Sequence, residues 1–150
     1  MKHALLNEAL VAVRGVYAEL AARPVERSCT LRTECCQFKR TGLTPQLTSG
    51  EALLAARALR AAGRKHLPES KDGACPMLHS QTGRCLIYQD RPFGCRTHFC
   101  SAAGGPYTRR EVLDLIRRLE EVDYQLGRDG PRALPDAMNR ALRTLDGARG

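Results

Sequence analysis

Apolar residues near the start of the chain recur at Leu6, Leu10, Val13, Tyr17 and Leu20. Steps of four and three put them on one face of a helix, predicted over residues 3–22. Arg23-Pro24 stops it, because a proline disfavours helical geometry in the residue before it. Thr48-x-x-Glu51 announces a second helix: the hydroxyl and the carboxylate reciprocally satisfy amides of the first turn. Leu53, Leu54, Arg57 and Leu59 follow, and Gly63 closes it. Thr108-x-x-Glu111 repeats the device ahead of a stripe of Val112, Leu115, Ile116, Leu119, Val122 and Leu126, which predicts a third helix up to Gly127. A fourth is expected from about Pro135 to Leu145, with Met138, Leu142 and Leu145 on one side. The turn GRDGP before it and the polar terminus after it leave its docking open.

Two segments, 25–46 and 63–106, lose this periodicity, and all seven cysteines lie in them. Within the second, QTGRCLIY predicts a turn at Gly83 and a short strand from Cys85 to Tyr88, paired with Met77 to His79. The fold class expected is mainly α: a small helical domain packed around an irregular cysteine-rich metal-binding centre, with one short β-hairpin. A single domain over 1–150 is expected. Its cysteine-cluster core covers about 25–106, flanked by helices at about 3–22 and 108–126, with a C-terminal helix and tail over 131–150.

Composition gives that centre a reason to exist. Aromatic residues make up 5% of the 150-residue chain and tryptophan is absent, so the apolar side chains available for packing are mostly small and another source of cohesion is expected. No apolar run approaches the roughly 18 residues that cross a bilayer, which argues against an integral membrane protein. The N-terminal MKHALLNEALVAVRG is interrupted by Glu8 and Arg14 and does not read as a signal peptide. A cytoplasmic location is therefore expected, where cysteines at this density more often bind metal or do chemistry than form bridges. Their odd number agrees, since pairing alone would strand one thiol. The formal charge of +8 comes mainly from twenty arginines. Such an arginine bias reflects genome composition as readily as a ligand.

The spacing of the cysteines narrows the chemistry. Cys29, Cys35 and Cys36 form C-x5-C-C, and Cys75, Cys85, Cys95 and Cys100 follow as C-x9-C-x9-C-x4-C, with His79 and His98 interleaved. Soft thiolates favour zinc, iron–sulfur clusters or cuprous copper over magnesium or calcium. Paired C-x2-4-C knuckles, the usual source of zinc-ribbon ligands, are missing. Adjacent residues of an extended chain point to opposite faces, so Cys35 and Cys36 serve different functions. They reach two metal centres, or hold different irons of one cluster, or one ligates while the other packs.

CTLRTECC, LTSGE, ACPML and GRCLIYQDRPFGCR, in that order, resemble the YkgJ-type cysteine-cluster family, the CxxCxxCC zinc- or iron-chelating domain. The resemblance covers about Cys29 to Cys100. It implies metal ligation by Cys29, Cys35, Cys36, Cys75, Cys85, Cys95 and Cys100. The second leading cysteine of the family falls on Arg32, which cannot ligate, so three-plus-four thiolates remain, with His98, His79, water or substrate able to fill the gap. Arg91 and Arg96 lie in the RP..CR segment. Either they offset thiolate charge beside the metal, or they make ordinary salt bridges or donate to loop carbonyls. Tyr88 reads as core, and His3 and His66 as solvent residues.

The function expected is a cytosolic metalloprotein that chelates zinc, with iron or an iron–sulfur cluster as the alternative cofactor. A metal-dependent enzyme or redox accessory subunit with an open site is the second reading, motivated by Arg32. No phosphate loop, Rossmann fingerprint or hydrolytic triad assigns it a reaction. A zinc-stabilised nucleic-acid module is the third. It rests on Arg109, Arg110, Arg117 and Arg118, but Glu111, Glu120, Glu121 and Asp123 dilute that face and no stacking platform accompanies it. The partners expected are thus a metal ion and a protein; nucleic acid and membrane are disfavoured.

Overall fold

The computed structural model of the chain describes residues 3–23, 44–69, 74–79, 81–97, 108–128 and 130–148. Helix α1 covers His3–Ala22. Strand β1 (Gln46–Leu47) leads directly into α2 (Ser49–Ala61). A 3-10 turn at Tyr88–Asp90 precedes the short helix α3 (Phe93–Thr97), and a second 3-10 turn, Arg109–Val112, opens α4 (Leu113–Gln125). Strand β2 (Arg132–Ala133) and helix α5 (Leu134–Ala148) follow. Among the described residues the fold is mainly helical, with one two-stranded antiparallel sheet of β1 and β2.

Helix α2 is the centre of the molecule, packed against α5 most extensively and also against α1 and α4. Every residue from Gly50 to Ala56 is buried, the all-round burial of a helix enclosed by neighbours. Ala52, Ala55 and Ala56 are at most 1% exposed, and their small side chains let surrounding helices approach. The alanine content that looked poor for a core is thus the means by which α2 is enclosed. Gly50 marks the closest approach: a Cβ there would stand 2.8 Å from Cγ1 of Val122 on α4 and 3.0 Å from Cγ2 of Val13 on α1.

The predicted boundaries of α1 agree with the structure, and its five stripe residues are all buried. Both capping boxes form, at Thr48/Glu51 and at Thr108/Glu111. Gly63 and Gly127 close the ends of α2 and α4 with φ of +87° and +73°, the left-handed region in which glycine carries no Cβ penalty. The fourth helix is longer than its apolar side suggested. It docks on α2, with Met138 fully buried and Leu142 nearly so. The sheet was not foreseen. Gln46 pairs with Ala133 and Leu47 with Arg132, and the Leu134 N–H donates to the Pro45 carbonyl at 2.9 Å, so the entries of α2 and α5 are stitched together.

One acidic residue of α4 is also placed differently from the sequence reading. Asp123, grouped above with the exposed acidic face, is 3% exposed. Its Oδ1 accepts from the Ser49 N–H and hydroxyl, both at 2.7 Å, and its Oδ2 accepts from the Gly130 N–H at 2.9 Å. The carboxylate therefore sits at the N-terminus of α2 and caps it from another helix, where unsatisfied amides and the helix dipole favour negative charge.

Candidate metal centre

Residues 74–97 carry the described part of the cysteine cluster. Cys75 is buried, and its carbonyl accepts from the Leu78 N–H at 3.1 Å, closing a turn. The chain then doubles back through Gly83, at φ +70°. The His79 N–H donates to the Arg84 carbonyl at 2.7 Å, and the Leu86 N–H donates to the Met77 carbonyl at 2.8 Å. The predicted hairpin is present only as this tight pairing, with a single bridge between Leu78 and Cys85. No strand reaches Tyr88, because the chain turns at Leu86–Ile87 to send Ile87, 3% exposed, into the core beside the almost fully buried Met77. Packing of these two side chains outweighs extension of a pair that has no third strand to support it.

His79 takes part in that turn. Its Nδ1 accepts from the N–H groups of Gln81 and Thr82, both at 3.2 Å. Backbone amides can only donate, so Nδ1 holds no proton in this arrangement and neutral imidazole carries it on Nε2.

Cys95 lies on α3, a helix that the irregular composition concealed. Pro92 precedes it and its carbonyl accepts from the Cys95 and Arg96 N–H groups at 3.0 and 3.2 Å. Phe93, 6% exposed, anchors the helix in the core. The Phe93 N–H donates to Glu51 Oε1 at 2.7 Å, so the carboxylate that completes the capping box of α2 also receives the first amide of α3. Thr48 supplies two further donors to Oε2, its N–H and its hydroxyl, each at 2.9 Å. The Tyr17 hydroxyl supplies the fourth, to Oε1, at 3.3 Å. Burial raises the Glu51 carboxyl above its usual range, against the opposing pull of those hydrogen bonds. Tyr17 is raised well above the usual phenol value, first by burial and then by the neighbouring Glu51 charge.

Two arginines brace the same loop. Arg96 lies over the Tyr17 ring with its guanidinium carbon 4.0 Å from the centroid, donates from Nε to the Arg91 carbonyl at 2.7 Å, and donates from Nη2 to the Gln89 carbonyl at 2.6 Å. Burial lowers its pKa, while charge on Tyr17, Asp90 or Cys95 opposes that shift. Arg91 lies over the Tyr88 ring at 3.9 Å and donates from Nε to the Tyr88 carbonyl at 2.9 Å. Both arginines thus donate to loop carbonyls, and Arg96 also lies close enough to Cys95 to act on its charge. Tyr88 is half-buried beneath Arg91. Arg118 of the exposed arginine group forms an ion pair with Glu19 across α1 and α4.

The described portion of the cluster is therefore Cys75, Cys85 and Cys95 with His79, Arg91 and Arg96. Cys29, Arg32, Cys35, Cys36, His98 and Cys100 lie outside the described residues. Among the described residues, no three His, Cys, Asp or Glu side chains stand close enough to hold a metal ion. The donor chemistry nevertheless fits a soft metal. Three thiols are presented from the turn and α3, a guanidinium neighbours one of them, and the nearby Glu51 carboxylate is occupied by four donors of its own. Glu51 is the positioning residue that reading the chain in sequence overlooked. Its signal was LTSGE, which reads as a helix start and carries no sign of the contact with Phe93, 42 residues on.

These features define a helical domain that displays a cysteine cluster on a braced turn and a short helix. The chain belongs to the CxxCxxCC family, whose model matches residues 27–120 and is described as a "putative zinc- or iron-chelating domain". No curated protein and no solved structure matches the chain.

Proposed function

We propose that this chain chelates zinc through cysteine thiolates in the cytosol, with iron or an iron–sulfur cluster as the competing occupant. The ligand set is drawn from Cys29, Cys35, Cys36, Cys75, Cys85, Cys95 and Cys100, with His98 as the imidazole able to replace a thiolate. His79 is left out. A metal-ligating histidine usually donates from one ring nitrogen while the other coordinates, and its Nδ1 already accepts from two amides. Arg91 and Arg96 support the site indirectly: they hold the carbonyls of Tyr88, Gln89 and Arg91, and Arg96 offsets thiolate charge at Cys95.

The observation that carries this reading is the joint placement of family membership over residues 27–120 with Cys75, Cys85 and Cys95 on one turn–helix unit tied to the core by Glu51. A bound metal would supply cross-linking of that unit to the other cysteines. On the order of 10 to 16 kcal/mol accompanies structural zinc binding in small peptides, comparable to the net stability of a whole domain. Anaerobic purification followed by elemental analysis tests the proposal. Near-stoichiometric zinc in a colourless protein supports it; iron with visible sulfur-to-iron absorption selects the competing occupant; absence of zinc, iron and copper overturns both.

The departure at Arg32 favours a second reading, a metal-dependent enzyme or redox accessory subunit whose incomplete ligand set leaves one coordination position open. Arg32→Cys distinguishes the two. Raised metal affinity together with loss of exchangeable ligand binding supports an open position, and unchanged metal content and ligand exchange removes the basis for it.

A further inference from the structure

Away from the cysteines, a shallow pocket opens between the N-terminal half of α2 and α5. Its floor is apolar, formed in part by Leu53 and Ala141, and Arg128, Arg132 and Arg140 line it. Arg132 faces Asp136 across an ion pair of 3.5 Å. The guanidinium groups of Arg128 and Arg140 have no hydrogen bond or ion pair with any described residue. Asp129, between Arg128 and Gly130, lies outside the described residues. The lining residues Ser49 and Gly130 are bound to Asp123, whose two oxygens they take up. Ser49 and Thr144 also line the pocket but spend their hydroxyl protons on Asp123 Oδ1 and the Arg140 carbonyl. The donors left to a ligand there are the guanidinium groups of Arg128 and Arg140.

Three arginines around one pocket exceed what a structural role requires. Like charges gathered in this way repel one another, and among the described residues Arg128 and Arg140 gain no compensating partner. Guanidinium groups present planar pairs of N–H donors that match phosphate oxygens, and several around one site suit an oxyanion with more than one accessible oxygen. The pocket is too shallow to enclose a nucleotide. We infer that it binds a phosphate-type oxyanion, the terminal group of a phosphorylated small molecule or inorganic phosphate, held by Arg128 and Arg140. This site is independent of the metal reading, since none of its residues belongs to the cysteine cluster.

The test uses the full chain and inorganic phosphate, titrated at constant ionic strength against chloride, with amide chemical shifts as the readout. Expected are saturable shifts of the Ser49 and Gly130 amides and a rise in Tm with phosphate. Arg128→Gln and Arg140→Gln should each weaken binding about tenfold, equivalent to ~1.4 kcal/mol, without changing Tm in chloride. A phosphorylated sugar that binds more tightly than inorganic phosphate assigns the site to the terminal group, and equal affinity assigns it to the free ion; both support the inference. It is overturned by shifts that do not saturate, by an effect that chloride reproduces, or by full phosphate binding in the Arg128→Gln/Arg140→Gln double variant.

Discussion

The Tyr17 hydroxyl on α1 donates to Glu51 Oε1 on α2, and the same oxygen receives the first amide of α3. One buried carboxylate thus joins three helices and sets the position of Cys95, two residues beyond Phe93. Removing the hydroxyl with Tyr17→Phe leaves the ring beneath Arg96 and withdraws one of four donors to the carboxylate. The bond is long at 3.3 Å, so the expected cost lies near the ordinary value, about 1 kcal/mol in chemical denaturation. An unchanged midpoint would show that the other three donors satisfy Glu51 alone.

Glu51 also imposes a pH dependence of definite sign. Its carboxyl titrates above the ordinary glutamate value because burial disfavours the charged form. A carboxyl whose folded pKa exceeds its unfolded one contributes stability that is fully present below the unfolded value and lost as pH rises through the folded one. Wild type should therefore lose stability relative to Glu51→Gln between about pH 4.5 and the raised folded pKa. Urea denaturation of both proteins across that window measures it. At every pH the Gln variant should bear a constant penalty, since its amide cannot accept from Thr48. A pH-independent difference would contradict the assignment.

Gly50→Ala sets two effects against each other. Alanine in place of glycine in a helix interior is worth up to about 1 kcal/mol from propensity, yet its Cβ would stand 2.8 Å from Val122 Cγ1. Overpacking of a fitted core costs about 1–3 kcal/mol, and with Val13 at 3.0 Å on the other side there is little room to relax. Net destabilisation is expected. Val122→Ala in the same chain should recover part of it, which a double-mutant cycle would detect as favourable coupling.

Asp123→Ala removes the acceptor of three hydrogen bonds at the start of α2. Buried donors left unsatisfied cost about 1–3 kcal/mol each at most, and partial hydration should hold the total to about 2–4 kcal/mol. Hydrogen exchange locates the effect: the Ser49 and Gly130 amides should lose protection first. Protection unchanged at both would mean that the carboxylate is not their acceptor in solution.

Arg96→Lys keeps the charge and discards the geometry. A lysine cannot donate in one plane to the Arg91 and Gln89 carbonyls while stacked on Tyr17. The turn should loosen, and metal should leave faster in a chelator challenge while far-ultraviolet circular dichroism stays the same. Equal release rates for wild type and variant would reduce Arg96 to a charge.

Much of the framework was legible along the chain, because its causes are local. The step of four and three in α1, the two capping boxes and the closing glycines act within one or two turns, so the residues that specify them lie next to one another. The cysteine positions and the RP..CR segment were equally legible as chemistry, and the resemblance to the family was read partly from them. Helix α3 was hidden because five residues that follow a proline and contain a glycine offer no periodicity. The hairpin was overextended because alternation in LIYQ carries no information about Ile87 turning inward.

By itself the sequence determined where α1, α2 and α4 start and stop, that the chain is rich in thiols at fixed spacing, and which family it resembles. The tertiary structure decided which polar side chains are buried and whom they serve. Glu51 reads as a helix cap and Asp123 as part of a solvated acidic face. Each instead binds an amide 42 or 74 residues away, and only the packing of α1, α3 and α4 around α2 brings those groups together. A buried carboxylate is stable only where donors converge on it, and convergence from distant segments is a property of the fold rather than of any stretch of chain.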